Sequence, residues 1–216
     1  MKITEIVSEA KMHRSIRKEV VSKGYQFLGS GQDQDVFLAP DGTILKIFGT
    51  DRDAGLKNYS EGQQSLIDFA RYCQANASNP FLPTFGGIER FEFNGKFYLQ
   101  IQCERLFELT GTTKDIDRGL EEIDLIVRSS ETVKKNVNTI LQQVQSNYGV
   151  GSDRLPQAIT AIGGEEGLAL FVKTIIDLDR IAQNKGYNSD LHAGNFMASS
   201  DGNVVINDPF FTGTWR

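Results

Sequence analysis

Apolar residues recur along the chain with two periods, and the change from one to the other divides it. Ile3, Ile6, Val7, Ala10, Ile16 and Val20 are spaced as one face of a helix with charges between them, so residues 1–23 read as an amphipathic helix. "GYQFLGSGQDQDVFLAPDGTILKIFG" predicts two extended segments around a Gly-rich loop, a turn at Pro40-Asp41-Gly42 and a third extended segment from Thr43 to Phe48. Residues 58–75 return to helical spacing, with Leu66, Ile67, Phe69, Ala70 and Cys73 as a buried stripe. "FGGIERFEFNGKFYLQIQCERL" alternates on both sides of Asn94-Gly95, the signature of a hairpin.

From Asp115 onward the period is helical. Ile116, Leu120, Ile123, Val127, Val133, Val137, Ile140 and Val144 mark one long helix, or two broken near Ser129-Ser130. Gly149 to Gly164 reads as a loop. Leu168, Phe171, Val172, Ile175, Ile176, Leu178 and Ile181 then predict a helix over Glu165–Lys185, stopped by Gly186. Two short extended pieces, Phe196–Ala198 and Val204–Ile206, flank Ser200-Asp201-Gly202-Asn203. A strand-rich half with one helix followed by a helical half predicts an α+β fold with two lobes and a cleft between them.

Composition changes this picture little. Apolar residues are 39% and charged residues 24% of 216 positions, which suits a globular chain. Twenty-eight acids face twenty-three bases without a basic stripe, which disfavours nucleic acid as a partner. The N-terminus lacks the layout of a signal peptide and no apolar run is long enough for a bilayer, so a cytoplasmic chain without a membrane partner is expected. Cys73 and Cys103 belong to no CxxC pair and read as reduced, buried thiols.

Candidate chemistry concentrates in "NSDLHAGNFM", residues 188–197, and in "VVINDPF" after it. A hairpin brings its ends side by side, so Asn195 and Asp208 are expected near each other. An amide oxygen, a carboxylate and waters form a hard oxygen set suited to Mg²⁺ rather than zinc. Asp190 would face the same point and accept a proton or orient a hydroxyl. Turn chemistry explains the same loop cheaply, since Asp, Asn and Gly populate ordinary turns. At the other end, Gly29 and Gly31 would let backbone N–H groups approach a phosphate, although a G-x-G alone is equally a hairpin turn. Lys46 stands among four apolar neighbours in "ILKIF"; it is either an exposed edge lysine or an ammonium that needs an anion.

Taken together, these features resemble the protein-kinase-like superfamily. Gly29-Ser30-Gly31 with Val36 resembles the nucleotide-covering loop, and Lys46 the phosphate-binding lysine of the third strand. Asp190 through Asn195 resembles the catalytic loop, and Asp208 the metal-binding Asp of DFG. The resemblance implies ATP and Mg²⁺ as cofactors, with Asn195 and Asp208 on the metal and Asp190 at the acceptor hydroxyl. It further implies Glu61 as the carboxylate partner of Lys46, Glu104 and Leu106 as backbone contacts to adenine, and Cys103 as gatekeeper. Glu61 fits a helix first turn on its own account, and His192 either meets the γ-phosphate or braces the loop from behind. Asp33 and Asp35 stand awkwardly beside phosphates, so their side chains are expected to point away or to cap the turn.

The departures narrow the branch. HRD is replaced by Asn188-Ser189-Asp190, Gln34 occupies the third Gly position, and DFG is Asp208-Pro209-Phe210. "DLHAGN" is closer to the loops of small-molecule and atypical kinases. With eight residues after Asp208 in this sequence, a fold without the family's activation segment and lower helical subdomain is expected. The N-lobe stretch is similar to RIO-type atypical kinases, and the whole pattern to the compact protein kinases of T7-like bacteriophages. That likeness implies one kinase-like domain over 1–216: helix 1–23, N-lobe 24–104, hinge 104–107 and a minimal helical C-lobe 108–216. The implied activity is a Ser/Thr protein kinase acting on host proteins in the host cytoplasm. A non-catalytic nucleotide-binding module, a small-molecule kinase and an AMP transferase are the alternatives. The acceptor, the oligomeric state and the purpose of 115–146 are left open.

Overall fold

The structure is a computed structural model that describes residues 14–30, 34–48, 61–93, 96–109, 113–129, 137–146 and 154–212. It is an α+β protein of helices and antiparallel sheets. The chain divides into two compact units, Met1–Ala75 with Thr84–Arg105 and Asn76–Pro83 with Leu106–Arg216.

In the first unit, α1 (Arg14–Ser22) precedes β1 (Gln26–Ser30), β2 (Gln34–Leu38) and β3 (Ile44–Phe48), then α2 (Glu61–Ala75), β4 (Phe85–Phe93) and β5 (Lys96–Cys103). The five strands form one antiparallel sheet in the order β1-β2-β3-β5-β4. Pro40-Asp41-Gly42 makes the expected turn. Gly42 takes φ +87°, which only glycine adopts without strain, and the Asp41 carboxylate accepts from both the N–H and the hydroxyl of Thr43. Those bonds hold the Asp41 carboxyl below its ordinary range.

Strand alternation gives this sheet two different faces. Phe37, Leu45, Ile47 and Tyr98 point one way and bury Ile16 and Val20 of α1. Lys46, Ile101 and Val36 are register partners on the other side. The expected stripe of α2 is buried throughout, and Phe69 meets Phe85 of β4 edge to face with 5.7 Å between centroids. Residues 1–13, Gly31, Asp33 and the Asn94-Gly95 turn lie outside the described residues.

The second unit holds β6 (Phe107–Glu108), α3 (Thr113–Ser129), α4 (Val137–Ser146), α5 (Arg154–Ala161) and α6 (Gly164–Lys185), followed by β7 (Asn188–Ser189), β8 (Phe196–Ala198), β9 (Val204–Ile206) and β10 (Phe210–Phe211). Residues 130–136, where the break near Ser129-Ser130 is expected, lie outside the described residues. The loop expected over 149–164 is corrected: α5 occupies its centre, burying Leu155, Ala158 and Ile159. Pro156 sits in the first turn of α5, where the missing N–H has no helical partner to lose. Gly119 lets α3 and α5 touch, because a Cβ there would stand 2.5 Å from the Arg154 carbonyl oxygen. Helix α6 stops where expected, at Gly186 in the left-handed region with φ 74°. Among the described residues no helix is long and apolar enough to cross a membrane.

Candidate functional site

Two short sheets of the second unit frame the loop at 190–195. β7 pairs antiparallel with β10, and β8 with β9. The segments 190–195 and 207–209 therefore each run from one small sheet to the other, and they face one another. Three hydrogen bonds stitch them together. The Asp190 N–H donates to the Pro209 carbonyl at 2.8 Å, the Asn207 N–H to the Asn195 carbonyl at 2.8 Å, and Asn195 Nδ2 to the Asp208 carbonyl at 3.1 Å.

Asn195 Nδ2 also donates to the Asp190 carbonyl at 2.6 Å. Two backbone acceptors thus fix which end of this amide is nitrogen, and they leave Oδ1 as an acceptor-only group with no hydrogen-bond partner among the described residues. Beneath the loop, Leu191 and Phe196 are buried, Phe196 packs on Phe171 of α6, and Ile206 N–H bonds the Phe81 carbonyl. An apolar floor and a stitched backbone hold the polar side chains of Asp190, Asn195 and Asp208, all half-buried. Asp208 takes φ +51°, the one positive φ of a non-glycine described residue. That conformation costs about 1–3 kcal/mol and persists only where its surroundings enforce it, a situation that clusters at functional sites.

His192 plays a local part. It caps the 3₁₀ turn Ala193–Asn195, its Nδ1 accepting from the Gly194 N–H at 3.0 Å. A Cβ at Gly194 would lie 2.9 Å from the imidazole Cε1, so a larger residue there would displace the ring from this bond. The bond needs Nδ1 without a proton, so the ring braces the loop while its other edge faces solvent.

The first unit carries the other candidates. Lys46 is half-buried at the centre of β3 and opposite Val36; among the described residues it has no hydrogen-bond or ion-pair partner. Its ammonium lies close enough to Cys103 to oppose the effect of burial, which pushes that thiol up, as Glu104 also does to a smaller degree. Glu61 is the exposed first residue of α2, and no ion pair joins it to Lys46 among the described residues. Gly29 pairs with Val36 beside a register shift, and a Cβ on it would meet open space. No internal neighbour therefore demands glycine there. Ser30 ends β1, and Gln34 shares the Lys46 face, its Oε1 without a partner among the described residues. Glu104 and Thr84 bond reciprocally, Glu104 N–H to the Thr84 carbonyl and Thr84 N–H to the Glu104 carboxylate. Leu106 is half-buried in the second unit.

Arg17 was not among the residues that pattern singled out. Its guanidinium stacks 4.0 Å from the Phe27 ring centroid and bonds both Asp35 and Ser30. No periodicity marks it: the pairing of Asp35 with Ile47, which puts its carboxylate on the α1 face, exists only in the folded sheet.

No protein-family model matches this chain, and no curated protein matches it.

The donor chemistry at Asn195 and Asp208 fits a hard cation. One oriented amide oxygen and one carboxylate are oxygen donors, and Mg²⁺ takes few protein ligands and fills its shell with phosphate and water. Among the described residues no group of three or more His, Cys, Asp or Glu could hold a metal.

Proposed function

We propose that the chain is an ATP- and Mg²⁺-dependent phosphotransferase with a kinase-like fold, of the compact protein Ser/Thr kinase type. The observation that carries this reading is the Asn195 amide, whose nitrogen is tied to the carbonyls of both Asp190 and Asp208, so that its oxygen is left as an acceptor next to a residue held at positive φ. An ordinary turn has no need of that double tie. The element order of the first unit, three strands, a helix and two strands around a half-buried lysine, supports the same reading.

In this reading Asn195 and Asp208 hold the cation, which when bound offsets the negative charge of the phosphates. Lys46 supplies an ammonium to phosphate oxygens, and Gly29 lets the backbone approach them. Asp190, its N–H anchored to Pro209, accepts or steers the proton of an acceptor hydroxyl. Phosphoryl transfer asks mainly for positioning, so one carboxylate is enough. His192 keeps the loop in shape. The acceptor is a protein hydroxyl, and the likeness to phage kinases points to host proteins. The reading requires Lys46 and the Asn195–Asp208 pair to serve one nucleotide.

The test is transfer from ATP labelled at the γ- or the α-phosphate, with Mg²⁺ and a bacterial lysate. Label from γ alone, lost in Asp190→Asn and in Lys46→Met, is the expected result. Label from α identifies AMP transfer, and label from neither position, with ATP bound, identifies a binding module; either result removes the kinase reading.

A further inference from the structure

The acids beside the Gly-rich segment posed a problem of charge, since a carboxylate near phosphates repels them. For Asp35 the structure gives the answer. Its side chain is 2% exposed and lies on the α1 face of the sheet, because Asp35 pairs with Ile47 while Val36 pairs with Lys46. Oδ2 takes both Arg17 Nε at 2.9 Å and an Arg17 terminal nitrogen at 2.8 Å. Oδ1 takes the Ser30 hydroxyl at 2.6 Å, and Arg17 also donates to Ser30 Oγ at 3.1 Å. Ser30 and Asp35 are register partners, the last such pair before the β1–β2 connection. One guanidinium from α1 thus ties together the two strand ends that bracket residues 31–33, and its stack on Phe27 fixes its plane.

Packing alone does not account for this arrangement. The neighbouring core of that face is apolar, built from Ile16, Val20, Phe37, Leu45, Ile47 and Tyr98. A buried ion pair in such surroundings is replaceable by hydrophobic residues at little or no cost, so it is weak evidence of stabilisation. What it does supply is a fixed register between two strand ends and a neutralised carboxylate. Both matter where Gly29 and its neighbours receive phosphates. We propose that Arg17 is a positioning residue for the nucleotide, acting through Asp35 and Ser30, and that docking of α1 is a requirement for tight phosphate binding. This rests on the nucleotide reading given above. Loss of Arg17 leaves the buried Asp35 carboxylate with the Ser30 hydroxyl alone and its charge uncompensated, and it loosens the Ser30–Asp35 pair.

The experiment is calorimetric titration of the full chain with Mg-ATP and, separately, with adenosine. Arg17→Met is expected to weaken Mg-ATP about tenfold, one unpaired charge near an anion being worth on the order of one decade, and adenosine less than twofold. Arg17→Met with Asp35→Asn removes the orphan charge and is expected to recover most of the loss. Arg17→Lys keeps the charge without the planar fork and falls between the two; it carries the test if Arg17→Met does not fold. A merely structural role would lower the melting temperature and leave the ATP-to-adenosine ratio unchanged, and that result overturns the proposal. If Lys46→Met binds Mg-ATP as well as the parent, the nucleotide reading itself fails and this inference fails with it. If Lys46→Met abolishes binding while Arg17→Met leaves it intact, only the Arg17 inference falls.

Discussion

Asn195 is bonded to the backbone of Asp208 rather than to its side chain: Nδ2 donates to the Asp208 carbonyl at 3.1 Å and to the Asp190 carbonyl at 2.6 Å. The side chain that would serve a cation therefore also fastens the two loops from which its neighbours project. Geometry and chemistry depend on one amide.

Replacing it with an isosteric carboxylate separates the two roles. Asn195→Asp would turn an oxygen toward two carbonyl oxygens and leave both acceptors without a donor. A loss of about 1–3 kcal/mol in unfolding free energy is expected, larger than for Asn195→Ala, whose carbonyls can take water. Urea denaturation of the two variants checks the order.

Lys46 and Cys103 report on each other. Burial raises the Cys103 thiol and the Lys46 ammonium partly lowers it. Lys46→Met should leave less thiolate at a given pH and slow alkylation of Cys103 by iodoacetamide. Glu104→Gln should speed it, since Glu104 raises the thiol. Mass spectrometry of the labelled peptide gives both rates, and equal rates in all three proteins would place the lysine away from the thiol.

The same thiols set an alkaline limit. Cys73 and Cys103 both lie above their ordinary value of 9.0 in the folded chain, chiefly through burial. The unfolded chain releases these protons first, so the stability they contribute is intact below pH 9.0 and declines as pH rises beyond it. Each thiol adds a slope of at most about 1.4 kcal/mol per pH unit. Melting temperatures between pH 8 and 11 should fall less steeply in Cys73→Ala than in the parent; the slope is the readout.

Gly119 is expected to resist alanine even inside a helix. Alanine gains about 1 kcal/mol of helix propensity over glycine. Its Cβ, however, would stand 2.5 Å from the Arg154 carbonyl oxygen and 2.7 Å from Ala158 Cβ. Forcing α3 and α5 apart costs about 1–3 kcal/mol, so Gly119→Ala should be net destabilising or at best neutral. Adding Ala158→Gly should return part of the loss if the clash with that methyl is real.

Much of the local structure was legible in the order of residues. The stripe of α2, the strands at 44–48, 85–93 and 96–103, the stop of α6 at Gly186 and the turn at Gly42 all follow from period, propensity and the φ that only glycine adopts freely. The loop at 190–195 was legible as a cluster of Asp, His and Asn. Helix α5 was not, because Pro156 and the flanking glycines read as loop punctuation, while burial of Leu155, Ala158 and Ile159 against other helices stabilises the turn. The two-residue strands β6, β7 and β10 are too short to carry any period, and they exist only because a partner strand is present.

Sequence by itself determined the longer helices and strands, where period and propensity act within a few residues through sterics and hydrogen bonding; α5 and the two-residue strands needed their partners. Tertiary structure decided direction. It sent the Asp35 carboxylate to Arg17, gave the His192 ring to the backbone of its own loop, and tied the Asn195 amide nitrogen to two carbonyls. Two of these outcomes depend on a partner brought near by folding: Arg17 lies 18 residues from Asp35, and Asp208 lies 13 residues from Asn195. The His192 ring depends instead on a 3₁₀ turn that only the stitched loops hold in place. Residue order alone carries no term for such distances.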